Sequence, residues 1–394
     1  MKHLFLFCIG LCTWLQAFAA PADSVQISLL TVMPRPNETY TIYGHTALRV
    51  HDLTQGTDIV YNWGAFDVKE PNFVGRFVQG KTDYFLREEP YNWFVYYYAT
   101  EQVTVLEQLL AFSPEAKAGL LQVIAENNRP ENRMYRYNFL FDNCTTRVRD
   151  FIEQFGASNL TYKEAPEGMR TFREQIYDCT KSYPWTAFGI DLLLGSGVDS
   201  IVSPRSLTFL PLRLKEAVNA PAQTIISYQL PVTGYQTSLS NDAPVIAGLT
   251  RNLLTNSAII IGIAFLLMIV ACFLPRWAMA PVYLVVALTG CLLVYMNFFS
   301  LHPCVSHNWN LLWLNPLYFI GLVGCFLKKS YPIIIWYHAF NFVLLLLFLL
   351  AWLFRLLPQT FEIRDLVFII PLLWASGRQW LMINGKWLMI KKYG

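Results

Sequence analysis

The residues best suited to chemistry are a cysteine and a histidine that lie far apart in the chain. Cys144 follows Phe141-Asp142-Asn143, and after it Val148, Phe151, Ile152 and Phe155 recur at helical spacing until Gly156 stops the run. Asp142 or Asn143 is a natural N-cap, which places Cys144 in the first turn. There the helix dipole and unsatisfied amides stabilise a thiolate and lower the thiol pKa. The same amides are able to hold an oxyanion after attack on a carbonyl. A Cys144–Cys179 disulfide is the structural alternative, because exported compartments permit one.

A thiol nucleophile needs a base, and the chain has six histidines. His45 sits in Thr41-Ile42-Tyr43-Gly44-His45-Thr46-Ala47-Leu48-Arg49, an alternating, strand-like run with Gly44 allowing close approach beside it. A second strand, Ile59 to Trp63, returns after a turn around Thr54–Asp58. His45 at a strand mouth with a helix-borne cysteine is the pairing of nucleophilic catalysis; His51 is read as structural. The orienting third group is Asn62 or Asp67. A hairpin centred on Gln55 sets residue 45 opposite residue 65 and selects neither. There is no H-E-x-x-H and no paired C-x-x-C, so no metal site is expected.

These residues need a scaffold of mixed type, an α+β domain. Ser24–Val32 and Asn92–Tyr98 read as strands, with Tyr96-Tyr97-Tyr98 as sheet packing. Ser113-Pro114-Glu115 opens a helix to about Asn127, with proline at its first position.

Composition supplies the compartment. Of 394 residues 54% are hydrophobic and only 14% charged, with net charge +3; a soluble domain carries about a quarter charged residues. Residues 251–394 hold 10 basic and 2 acidic side chains, leaving 20 basic and 25 acidic upstream. No basic domain or stripe survives that split, so nucleic acid is not an expected partner and a membrane is. Residues 1–19 read as a signal peptide: Lys2, an apolar run from Leu4 to Leu15, and Ala17-Phe18-Ala19. Five apolar stretches follow, at 257–274, 281–299, 311–327, 332–354 and 366–383, each near the length that crosses a hydrocarbon core. Arg276, Lys328, Lys329, Lys386, Lys391 and Lys392 fall on one side of these spans, a positive-inside pattern that exports the first part. The expected organisation is signal peptide 1–19, periplasmic catalytic domain 20–250 and membrane domain 251–394, in the inner (cytoplasmic) membrane. Breaks at Ala220-Pro221-Ala222 and Asp242-Ala243-Pro244 are plausible.

A set of motifs, taken in order, resembles the Lnb-type lipoprotein N-acyltransferases of Bacteroidota. They are Tyr43-Gly44-His45-Thr46-Ala47-Leu48-Arg49, Tyr61-Asn62-x-Gly64-x-Phe66-Asp67, Asn72-Phe73, Gly80-x-x-Asp83-Tyr84 and Phe141-Asp142-Asn143-Cys144-x-Thr146-Arg147. In the membrane half they continue as His302-Pro303 and Asn308-Trp309-Asn310-Leu311-Leu312-Trp313-x-Asn315-Pro316. The resemblance implies a circularly permuted papain/NlpC-P60-like exported domain on about five transmembrane helices. It implies acyl transfer from a phospholipid, through a Cys144 thioester, to the amine of a diacylated lipoprotein, with no cofactor. Asn143, Arg147, Tyr43, His302 and Asn308 become candidates for substrate contact. Arg147 and Arg149 either meet a phosphate headgroup or are solvated helix charges, and the loop with His302 and Asn308 either closes the site or is structural. Intramembrane His338 and Asn341 are read as lining an interior seam. A membrane-tethered cell-wall amidase or peptidase and a non-enzymatic assembly module are the competing functions.

Overall fold

The structure is a computed structural model that describes residues 24–35, 40–226, 259, 262–327 and 331–393. The expected signal peptide, the Asp242-Ala243-Pro244 break, Lys328 and Lys329 lie outside these residues. The chain divides into two compact units. The first comprises Met1–Asp67, Asp83–Lys163 and Arg205–Tyr228, the second Val68–Thr82, Glu164–Pro204 and Gln229–Gly394. The second unit thus takes two separate segments from upstream of residue 205.

The first unit is built on a seven-stranded antiparallel sheet. Its strands are β1 (Val25–Val32), β2 (His45–Asp52), β3 (Thr57–Ala65), β4 (Asp83–Pro90), β5 (Val105–Leu109), β6 (Met134–Arg136) and β7 (Gln223–Ile226), in the order β6-β4-β3-β2-β1-β5-β7. Alternation along β1 serves two cores, because successive side chains point to opposite faces. Ile27 and Leu29 join Leu48, Val50 and Trp63 on one face, where Val148 and Ile152 of the Cys144–Gly156 helix pack. Leu30 and Val32 join Ala47, Val60 and Phe94 on the other. Val148 and Ile152 are wholly buried, each contributing about 1.5–3 kcal/mol of transfer free energy, so the nucleophile's helix is anchored along its length.

Two expectations about elements are corrected. Residues 92–98 are not a strand: Tyr91–Thr100 is a helix with Pro90 at its N-cap. The run is aromatic almost throughout, which hides the period; only Tyr91, Phe94 and Tyr98, at i, i+3 and i+7, pack into the second core. Tyr96 and Tyr97 are exposed. The third apolar stretch is not one helix either. It begins as a 3-10 turn, Trp309–Leu312, and only Tyr318–Phe326 is α-helical. Pro316 cannot donate an amide and disfavours helix at Asn315 before it, so the helix starts after both.

The helices of the second unit include Gly262–Phe273, Ala280–Phe299, Pro332–Leu353 and Ile363–Tyr393. Among the described residues, Arg276–Phe299 and Pro332–Leu353 are long and apolar enough to cross a membrane. Arg378, the charge inside the last apolar stretch, donates to the carbonyls of Ala271 and Leu274, 2.9 Å each. It satisfies the C-terminal end of a neighbouring helix, where the dipole favours a cation. His338 and Asn341 are buried, and Asn341 donates to Tyr318 and Ser376 within the bundle.

Candidate active site

Asn143, not Asp142, caps the Cys144–Gly156 helix. Its Oδ1 accepts from the amides of Thr145 and Thr146 at 2.8 and 2.9 Å, and its own amide donates to Thr146 Oγ1 at 2.8 Å. This reciprocal capping box narrows the expected oxyanion site. The cap takes the second and third amides and leaves aside that of Cys144. The Asn143 amide group is also engaged, donating to the carbonyls of Phe139 and Phe209. Asn143 therefore acts as a structural cap, and its placement gives no polar atom to a substrate.

Gly44 brings the base into place. It follows the 3-10 turn Thr41–Tyr43 at φ 79°, and a Cβ there would lie 2.6 Å from the Val32 carbonyl oxygen. Only glycine fits both demands, and β2 begins at the next residue, His45. The Cys144 thiol and the His45 ring are hydrogen-bond partners, the Thr46 amide also acts on the sulfur, and Thr145 Oγ1 lies 3.7 Å from it. The Thr46 and Thr145 hydroxyls meet at 3.1 Å, tying strand to helix.

The far side of the imidazole is fixed by Asn62. His45 Nε2 lies 3.0 Å from Asn62 Oδ1, and Asn62 Nδ2 donates to Glu89 at 2.6 Å. A carboxylate only accepts, so Glu89 sets the Asn62 amide with its oxygen toward His45. Nε2 then carries the proton, and Nδ1 is left to face the thiol. Asp67 is exposed past the end of β3, so Asn62, not Asp67, stands in the orienting position. The β2–β3 register explains why. Leu48 pairs with Tyr61, so the next pair would set Asn62 opposite Ala47, on the same face as His45. The Asp52 carboxylate caps the turn by accepting from Thr54 and Gln55 at 2.8 and 3.0 Å, and the loop centre falls half a residue from Gln55.

Burial alone would push the Cys144 thiol up and the His45 imidazole down. The attraction and hydrogen bond between them outweigh burial: the thiol is held below its ordinary value and the imidazole above. Each partner favours the other's charged form, the electrostatic signature of a thiolate–imidazolium pair.

The remaining candidates are placed as follows. Arg147 is paired with Asp142 through two bonds of 2.6 and 2.9 Å and lies 3.5 Å over the Tyr135 ring. Its guanidinium is thus held by a carboxylate and a ring rather than being a freely solvated charge. Arg149 is buried and paired with Asp150. Tyr43 is half-buried in the turn before Gly44. His302 and Asn308 belong to the second unit. There His302 bonds the Phe77 carbonyl, while Asn308 caps the Trp309–Leu312 turn and donates to the Leu192 carbonyl at 2.8 Å. None of the described cysteines, Cys144 and Cys179 included, is in a disulfide.

Sequence reasoning missed Glu89, Thr46 and Tyr135. Glu89 arrives through the β3–β4 pairing, which carries an irregularity between Asn62 and Ala65, and no local signal marks it. Tyr135 is buried beside the nucleophile, where Gly64, at φ 91°, keeps the space open.

Residues 12–175 match the family model of the Lnb N-terminal periplasmic domain, and residues 253–386 match that of the Lnb transmembrane domain. Searches of curated proteins and of solved structures give no match. The two family matches follow one another in the order of their names and together span well over half of the chain. The chain belongs to the Lnb family and is a membrane protein with a periplasmic domain.

Proposed function

We propose that this protein is a lipoprotein N-acyltransferase that works through an acyl thioester on Cys144. Lnb membership supports lipoprotein processing, and one observation carries the chemistry. A thiol at a capped helix N-terminus shares a hydrogen bond with an imidazole whose other nitrogen is committed to Asn62. Such a pair makes an activated nucleophile at neutral pH. The fold is read as circularly permuted papain/NlpC-P60-like, supported by His45 on a strand preceding Cys144 on a helix packed against the same antiparallel sheet. The assignments 1–19 signal peptide, 20–250 catalytic domain and 251–394 membrane domain of five spans belong to the same proposal.

The thiolate attacks the ester carbonyl of a phospholipid, and the carbonyl π pair moves onto oxygen. When the carbonyl re-forms, the ester C–O bond breaks and the lysophospholipid alkoxide takes the proton from His45 Nδ1. The α-amine of the diacylglyceryl-cysteine then attacks the thioester, its proton passes to His45, and the thiolate leaves. Sulfur suits both halves, as a strong nucleophile and a good leaving group. The sequence balances with no group beyond the two substrates.

The test is to express wild type, Cys144→Ala and His45→Ala in cells that depend on lipoprotein N-acylation. Mass spectrometry of lipoprotein N-terminal peptides is expected to show the third acyl chain with wild type only. An acyl adduct on the tryptic peptide containing Cys144 of purified wild type is the second expected result. Full N-acylation by Cys144→Ala, or peptidoglycan cleavage by a wild type that never acylates lipoproteins, would overturn the proposal.

A further inference from the structure

The capping box leaves the first helical turn with one amide, that of Cys144, for a developing oxyanion. Tyr135 supplies a second group. It lies on β6, paired with Tyr84 of β4, and is 9% exposed. Its hydroxyl is buried with no hydrogen-bond partner among the described residues, an unfavourable state for a phenol in the fold's interior. The ring is held from above by the Arg147 guanidinium at 3.5 Å. A Cβ placed on Gly64 would lie 3.9 Å from Tyr135 Oη and 3.7 Å from Cys144 Cβ. The hydroxyl and the Cys144 Cβ thus border the one-carbon space that Gly64 leaves unfilled, with the Tyr137 ring, 3.6 Å away, as its third wall.

We propose that the Tyr135 hydroxyl is the second oxyanion donor, acting with the Cys144 amide on the carbonyl oxygen of the acyl group. This rests on the thioester reading above. As sulfur bonds to carbon, the carbonyl oxygen takes the π electrons and accepts from both donors. As the leaving group departs, the carbonyl re-forms and the bonds weaken. Tyr135 gives up no proton in either step. Burial pushes its phenol well above the ordinary range, so the hydroxyl keeps its proton wherever the thiolate exists. A partnerless hydroxyl in the resting protein and a bonded one in the tetrahedral intermediate is a differential interaction, the kind that accelerates a reaction.

Tyr135→Phe removes the oxygen and keeps the ring under Arg147. Full-length protein in detergent micelles is mixed separately with p-nitrophenyl octanoate and with dioleoylphosphatidylethanolamine, and the acylation rate constant of Cys144 is measured. We expect about a 10²–10³-fold loss with each donor. Iodoacetamide alkylation develops no oxyanion, so its rate and pH midpoint should stay at wild-type values, and the unfolding temperature should not fall. Wild-type acylation by Tyr135→Phe overturns the inference, as does alkylation slowed by the same factor. If the ester acylates wild type and the phospholipid does not, the donor assignment fails, while a Tyr135 effect on the ester still supports the donor role.

Discussion

At the scale of single residues, the site is a chain of commitments running from Glu89 to Asn62 to His45 to Cys144. Because burial opposes both charged forms, the pair's charges depend on each other, and removing one partner should expose the burial penalty on the other. His45→Ala deletes the attraction that lowers the thiol and leaves burial, which raises it. The pH midpoint of Cys144 alkylation is therefore expected to move up, and an unchanged midpoint would show that the imidazole does not tune the sulfur. In wild type, activity should rise as pH passes the depressed thiol pKa and fall as pH passes the raised imidazole pKa, since a neutral His45 has no proton for the leaving alkoxide. Asn62→Ala removes a hydrogen bond that raises the imidazole, so the alkaline limb should shift downward. A hydrogen bond to a charged group is worth about 1.5–3 kcal/mol, which predicts about a 10- to 100-fold loss of acyl transfer. Glu89→Gln offers Asn62 a donor as readily as an acceptor and should give a milder loss in the same direction. A pH–rate profile of the purified variants reads both effects, and a profile of Asn62→Ala that overlays wild type would remove Asn62 from the mechanism.

At the scale of elements, stability and catalysis separate along one helix. Asn143→Ala loses the cap and should cost about 0.5–2 kcal/mol of stability. Ile152→Ala opens a cavity in the core two turns further on and should cost about 2–5 kcal/mol. Denaturant or thermal unfolding distinguishes them, and equal small losses would mean that the helix is held by something other than its apolar face. This helix was legible in the sequence because its signals are local: a cap, a 3.6-residue period in Val148, Phe151, Ile152 and Phe155, and a stop at Gly156. The strand bearing His45 was legible from His45 onward, whereas the run read as strand-like from Thr41 opens as the 3-10 turn Thr41–Tyr43 before Gly44. Asn62 was not separable from Asp67, because the choice depends on hairpin register. A slip of one residue turns every side chain to the opposite face, and the Asp52-capped turn supplies that slip. Glu89 was out of reach, since it is delivered by β4, a strand separated from β3 by residues 66–82. The aromatic run at 91–100 misled because β-propensity is weak against tertiary context, and its helical period is masked by aromatic residues on every face.

At the scale of the whole molecule, the segment 164–204 bears on where the protein can be cut. Its polar backbone is satisfied from within the second unit. Asn308 and Asn310 donate to the Leu192 carbonyl, Gln359 to that of Leu194, and the Gly195 amide donates to Cys304. Its apolar side chains Phe188, Leu192 and Leu193 pack on the core formed by Tyr283, Trp313 and Tyr318. Arg173 is buried against Asp191 and Asp199, and Asp191 also meets Arg364. Ending the chain at residue 250 would leave the Leu192 carbonyl without its side-chain donors, take Gln359 from that of Leu194, expose the three apolar side chains and strip a partner from Asp191. Asp191 keeps Arg173, so the main loss is the apolar burial of these side chains, about 1.5–3 kcal/mol for each one fully buried. Limited proteolysis of a 20–250 fragment, read by mass spectrometry, should therefore cut first within 164–204, whereas the full-length protein in detergent should be protected there. The sheet and the Cys144 helix draw their core from the first unit, so in the fragment they should be cut later than 164–204. A fragment that stays monomeric and resists cleavage at 164–204 as well as the full chain does would show that this segment belongs energetically with the sheet, and that the soluble part can be studied without its membrane helices.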